Sequence, residues 1–266
     1  MMYYFLHVAL FALFASGNLS ATNEDKPKIS ICPSPAATEE QRLKKTREYV
    51  AQLTKEDAVV LKSFDDLVIE LNNAYLREQS LNLEGMNKIL DAVEFAAQKH
   101  QSQTRKNKAK TPYISHPIGV AYNLMHYGEI RDDKMIVAAL LHDTVSQAKV
   151  TFEEIEKAFD KEVASYVREL TDDQSLTGNA LKRLQLIQAP KKSKGAAQIK
   201  LADNLYNIME LLQNPPEEWS RERIERYYQW TQAVIDRLPD ENVKLKNAVQ
   251  NHINSYWEKQ SESSKG

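Results

Sequence analysis

Two histidines and two aspartates stand where simple surface polarity does not account for them. His142 and Asp143 adjoin each other at the end of the apolar run MIVAALLHDTV at 135–145; His116 immediately precedes Pro117; Asp203 interrupts the apolar segment Ala196 to Leu212. Taken alone, the His142-Asp143 pair reads as a helix C-terminus, with the imidazole at the negative end of the dipole and the carboxylate facing water. Taken together, the two imidazoles and two carboxylates make a mixed nitrogen and oxygen donor set suited to one divalent metal ion with positions left open to water. Pro117 fits a helix entrance, where its missing amide costs nothing. A carboxylate in the middle of an apolar helix, as at Asp203, is costly to bury unless a cation or hydrogen-bond donor compensates it.

A second group is basic and aromatic: Arg105 and Lys106, then Lys108, Lys110 and Tyr113. Arginine can stack on a base, lysine can meet phosphate, and tyrosine can bond a sugar or phosphate oxygen. A solvated loop is the plainer reading, and it suits Lys108 and Lys110. Asn207 stands four residues after Asp203 and so shares its helical face. Arg223 and Tyr227 are also four apart, whereas Lys182 and Arg183 read by themselves as surface charge. His100, after an apolar segment, reads as a hydrogen-bonded structural histidine. The net charge is −2, from 35 basic and 37 acidic residues, so no global field gathers nucleic acid or an anionic membrane. An anionic ligand must be met locally. Cys32, the single cysteine, cannot form an internal disulfide or build a thiolate metal site.

These residues need helices to position them. Only seven glycines and nine prolines punctuate the 266 residues, too few for the many turns of a sandwich or barrel, so the chain reads as all-α. Spacings of three and four predict helices near 84–100, 117–127, 132–146, 152–159, 161–171, 179–189, 194–213, 220–238 and 241–259. Thr151 with Glu154 fits a capping box, and Ser220 an N-cap. Residues 38–82 form a helical extension broken near Thr54, preceded by a Ser/Pro-rich linker at 22–37. Residues 1–21 open with an apolar run too short to span a bilayer, followed by the small residues Ala15, Gly17 and Ala21. This predicts an export signal, to the periplasm or outside the cell, with an uncleaved membrane anchor as the alternative and no integral membrane domain once the signal is cleaved.

The ordered pattern His116, His142-Asp143, Asp203 resembles the HD superfamily of metal-dependent phosphohydrolases. The segments TPYISHPIGVA at 111–121, AALLHDTV at 138–145, TDD at 171–173, KLADNLYNI at 200–208 and WSRERIERYYQW at 219–230 resemble its RelA/SpoT branch of alarmone hydrolases, metazoan homologues included. The resemblance covers about 83–238 and implies an HD helical bundle over 83–260. It further implies one Mn²⁺ held by His116, His142, Asp143 and Asp203, and a purine nucleotide bearing a 3′ diphosphate, with guanosine tetraphosphate (ppGpp) the type case. By the same resemblance Asn207 orients the nucleotide, Arg105, Lys106 and Tyr113 contact it, and Lys182, Arg183, Arg223 and Tyr227 stand on the rim.

The family continues, three and four residues beyond the His-Asp aspartate, with a Glu-Asp dyad that positions or activates water. Here those positions are Ser146 and Gln147, neither of which can serve as a carboxylate base. The sequence is therefore compatible with a slowed or altered pyrophosphohydrolase, with an inactive nucleotide-binding module, and with an exported HD phosphatase of another phosphorylated metabolite. It does not specify an oligomeric state.

Overall fold

The computed structural model describes residues 35–239 and 242–263. The export signal, most of the linker and Cys32 lie outside the described residues. Among the described residues there are helices and no strand, only an isolated bridge between Thr104 and Pro112. The all-α expectation holds.

Helix α1 (Pro35–Thr54) begins three residues inside the stretch read as linker, with proline in its first turn, where a missing amide is tolerated. Helix α2 (Ala58–Asn72) is capped by Asp57, whose carboxylate accepts from the amides of Val59 and Val60, and ends in a π-turn at Asn73–Arg77. Its buried stripe, Val60, Phe64, Leu67 and Leu71, recurs at four, three and four residues and packs along α4 (Ser115–His126). Helix α1 lies on α3 (Leu83–His100), where Arg42 bridges Asp91 and Glu94 and Thr46 also donates to Glu94.

The centre is α5 (Asp133–Leu141). All seven residues from Met135 to Leu141 are buried, the signature of a helix enclosed on every side. Helices α3, α4 and α8 (Lys161–Leu170) surround it. After α5 come the short α6 (Thr144–Ala148) and α7 (Phe152–Ala158), the latter opened by the predicted capping box of Thr151 and Glu154. Helix α9 (Gly178–Gln188) buries no residue; α10 (Lys194–Gln213) buries ten; α11 (Arg221–Ile235), N-capped by Ser220, and α12 (Val243–Ser263) complete the bundle.

Two boundaries differ informatively from the sequence reading. The single helix expected over 132–146 breaks at His142-Asp143, where Asp143 has φ −98° and ψ −4°. Neighbours in an unbroken helix diverge by about 100° around its axis, so the break lets both side chains serve one point. Helix α4 starts at Ser115, placing His116 in its first turn instead of just before it.

Candidate metal centre and its two clefts

Three elements converge. The first turn of α4 carries His116, the α5–α6 break carries His142 and Asp143, and the middle of α10 carries Asp203. Gly119 makes the crossing of α4 and α10 possible, because a Cβ there would lie 2.1 Å from the Tyr206 ring of α10. That ring in turn stands against the His116 imidazole, 4.9 Å between centres.

His116 Nε2 lies 3.2 Å from His142 Nε2, 3.4 Å from Asp143 Oδ2 and 3.4 Å from Asp203 Oδ1. His142 Nε2 lies 3.3 Å from Asp143 Oδ2 and 3.9 Å from Asp203 Oδ1. Donors bound at about 2.1 Å to one ion sit roughly 3.0–3.4 Å from their nearest neighbours, so the atoms of His116, His142 and Asp143 fit a shared divalent cation, with Asp203 Oδ1 beside them, 3.4 Å from His116 and 3.9 Å from His142. His116, His142 and Asp143 are the tightest subset, all within 4.8 Å of one another. His142 Nδ1 faces the Ala139 carbonyl at 2.8 Å, which turns Nε2 toward the centre.

Electrostatics single out the same point. Burial and the nearby Arg105 push the His116 imidazole down to about 4. Burial also opposes charge on His142, but Asp143 and Asp203 outweigh it and push this imidazole up to about 9. Asp143, despite burial, is held well below the usual carboxylate range by the two imidazoles, and Asp203 is lowered by Lys200 and the same pair.

Each carboxylate has its own holder. Lys200 Nζ donates to Asp203 Oδ2 and Asn207 Nδ2 to Asp203 Oδ1, both at 2.7 Å, and the Tyr113 hydroxyl donates to Asp143 Oδ2 at 2.7 Å. His100 stacks behind Tyr113 and bonds Gln103. Gln103 in turn donates to the Gln147 carbonyl at 2.6 Å.

A cleft of about 160 Å³ opens directly on His142, Asp143 and Asp203, walled by Ser146, Lys200 and Asp172. A larger cleft of about 560 Å³ is lined by Arg105, Lys106, Tyr113, Asn207, Trp219 and Tyr227, among others. Gln147 borders both. Lys106 is exposed. Arg105 is enclosed by Glu210 and Asn207. Arg223 lies over Trp219 on the outside, its guanidinium carbon 4.4 Å from the ring centre. Lys182, on α9, faces the rings of Tyr227 and Trp230 at 5.6 and 5.3 Å. The Ser146 hydroxyl stays within 3.3 Å of the Asp143 carbonyl, and no carboxylate occupies positions 146–147.

Sequence reasoning missed Lys200, Glu210, Asn107 and Trp219. The first two had a signal: they lie three before and seven after Asp203, on the same helical face.

A family model described as HD domain matches residues 92–231. The chain is 49% identical over 154 residues to a guanosine-3′,5′-bis(diphosphate) 3′-pyrophosphohydrolase of Xenopus tropicalis, spanning 58% of this chain and 86% of that relative. The Homo sapiens protein of the same description is 45% identical over 161 residues, 60% of this chain and 90% of the relative. A solved structure described as a metazoan ortholog of SpoT that hydrolyzes ppGpp superposes with a TM-score of 0.62 at 39% identity, covering 64% of this chain and 95% of the other.

Proposed function

The chain belongs to the HD domain family, and we propose that it is a metal-dependent nucleotide phosphohydrolase that uses Mn²⁺ and removes pyrophosphate from the 3′ position of a guanosine-tetraphosphate-like nucleotide. The observation that carries this reading is the set of four donor atoms from His116, His142, Asp143 and Asp203, each within 3.9 Å of both imidazole nitrogens or of the other imidazole. The substrate class is supported by the relatives of that activity and by the cleft beside the four residues, which offers aromatic and cationic groups together.

In the reaction a water oxygen bonds to the phosphorus attached to O3′, the P–O3′ bond breaks, O3′ takes a proton, and pyrophosphate leaves. His116, His142, Asp143 and Asp203 would hold a divalent ion, which would supply Lewis acidity by lowering the pKa of water and neutralising charge on phosphoryl oxygens. The chain's own residues do the rest. Lys200, Asn207 and Tyr113 keep Asp203 and Asp143 aimed inward. In the larger cleft Trp219 and Tyr227 offer rings for a base and Lys106 a cation for phosphate, while Lys182 and Arg223 rest over the Tyr227 and Trp219 rings at its rim. Ser146 and Gln147 offer no proton acceptor, so turnover is slow, by about 10²–10⁴-fold if a positioned base is missing.

The test is metal analysis of the purified chain followed by incubation with guanosine tetraphosphate and Mn²⁺. Release of pyrophosphate, abolished together with metal uptake in His142→Ala, is the expected result. Tight nucleotide binding without release makes the chain a binding module instead, and turnover only of another 2′- or 3′-phosphorylated nucleotide in a substrate panel moves the substrate assignment.

We further propose export through residues 1–21, supported by their apolar run followed by small residues. Among the described residues no helix is long and apolar enough to cross a membrane. Detection of the tagged chain solely in the cytosol overturns this.

A further inference from the structure

The Arg105 guanidinium reaches from the loop after α3 onto α10, where it is only 13% exposed. Its Nε lies 3.3 and 3.2 Å from the two Glu210 oxygens, and its terminal nitrogen lies 2.7 Å from Glu210 Oε2 and 2.8 Å from Asn207 Oδ1. Asn207 passes the contact on, donating to Asp203 Oδ1 at 2.7 Å. Two links therefore join Arg105 to a carboxylate of the metal centre. Glu210 is itself preset: Asn107 donates to it at 3.0 Å, and Asn107 is buried and tied to Thr111. Arg105, Asn107, Asn207 and Glu210 all line the larger cleft, within reach of a ligand there.

A buried cation two contacts from a divalent-ion site repels that ion unless something neutralises it. It is also the group an anionic ligand in the cleft would seek, since guanidinium grips phosphate in a bidentate fork. From this geometry we infer that Glu210 is a positioning residue, an internal counter-ion that keeps Arg105 compatible with the metal and yields it to the phosphate of an arriving nucleotide. The inference rests on the metal-dependent reading above. It demands effects of opposite sign. Without the Glu210 charge, the uncompensated Arg105 weakens metal binding, while the nucleotide no longer competes with a carboxylate and binds more tightly. A merely structural prop would weaken both.

The experiment titrates wild type and Glu210→Gln calorimetrically with Mn²⁺ alone, then with guanosine 3′,5′-bisphosphate at saturating Mn²⁺. Expected are a fall of about tenfold in Mn²⁺ affinity and a comparable rise in nucleotide affinity, within the usual range of couplings between sites. The double variant Arg105→Gln, Glu210→Gln should return Mn²⁺ affinity to near wild type. Parallel losses, no change in either titration, or a double variant that stays weak overturns the inference. If Glu210→Gln does not fold, Arg105→Gln decides: Mn²⁺ affinity at or above wild type supports the assignment, and a loss overturns it. A wild type that takes up no Mn²⁺ defeats the metal reading itself, a separate outcome.

Discussion

Replacing Lys200 by methionine should destabilise the metal-free protein and, at the same time, tighten its hold on Mn²⁺. Lys200 Nζ lies 2.7 Å from Asp203 Oδ2, with side chains 16% and 9% exposed. At an effective dielectric constant near 20, that separation corresponds to about 6 kcal/mol of attraction before desolvation is counted. Deleting one member of a buried pair typically costs about 3–5 kcal/mol, because the other charge is left uncompensated. With a divalent ion at the centre, Asp203 keeps a counter-charge, so the loss should shrink to about half, roughly 2 kcal/mol. By linkage the remaining difference of about 2 kcal/mol appears as Mn²⁺ binding some 30-fold tighter. Urea unfolding of wild type and Lys200→Met, each with chelator and with saturating Mn²⁺, reads the two stabilities, and titration calorimetry reads the affinity directly. An equal loss in both conditions, or weaker Mn²⁺ binding, would refute the view that Asp203 divides its charge between Lys200 and the ion.

Ser146→Glu combined with Gln147→Asp should raise pyrophosphate release by at least about 10²-fold, by supplying the missing proton acceptor; a folded, metallated double variant with no gain would show that the cleft has diverged beyond those two positions. Gly119→Ala should cost about 1–3 kcal/mol and lower metal occupancy, because the added carbon drives the Tyr206 ring, 2.1 Å away, against His116 and α10; thermal melts and metal analysis test both effects. Tyr113→Phe removes the hydroxyl that holds Asp143 Oδ2 at 2.7 Å, and should weaken Mn²⁺ by about 10–100-fold, the usual effect of losing such a partner; unchanged affinity would assign that hydroxyl to the nucleotide alone.

Much of this was legible before any coordinates. The all-α fold followed from sparse turn residues and regular apolar spacing, and α10 has the bounds read from its pattern, Lys194–Gln213. His116, His142, Asp143 and Asp203 stand out as two imidazoles and two carboxylates set in or beside apolar segments, a donor set suited to a divalent ion. The pattern leaves the break between α5 and α6 undecided: His142-Asp143 closes the apolar run, yet MIVAALLHDTVSQA contains neither glycine nor proline and every residue tolerates a helix. Only the convergence on α4 and α10 shows what the turn does. Lys200 and Glu210 escaped for the opposite reason: charges on an amphipathic helix ordinarily face water, and sequence does not say that this helix is enclosed on its charged side. The sequence offers Arg105 as a contact for the nucleotide. Its carboxylate partner lies 105 positions away, a pairing that no local pattern announces.

The enclosed central helix restricts how this protein can vary. Substitutions along α5 change volume, and neighbouring side chains can repack around a modest change. One residue added or removed between Asp133 and Leu141 is a different event: it would swing His142 and Asp143 by about 100° and shift them about 1.5 Å along the axis. No repacking undoes such a rotation. Gains and losses of length should therefore collect in stretches such as 127–131, leaving the count of residues in α5 as invariant as the teeth on a gear.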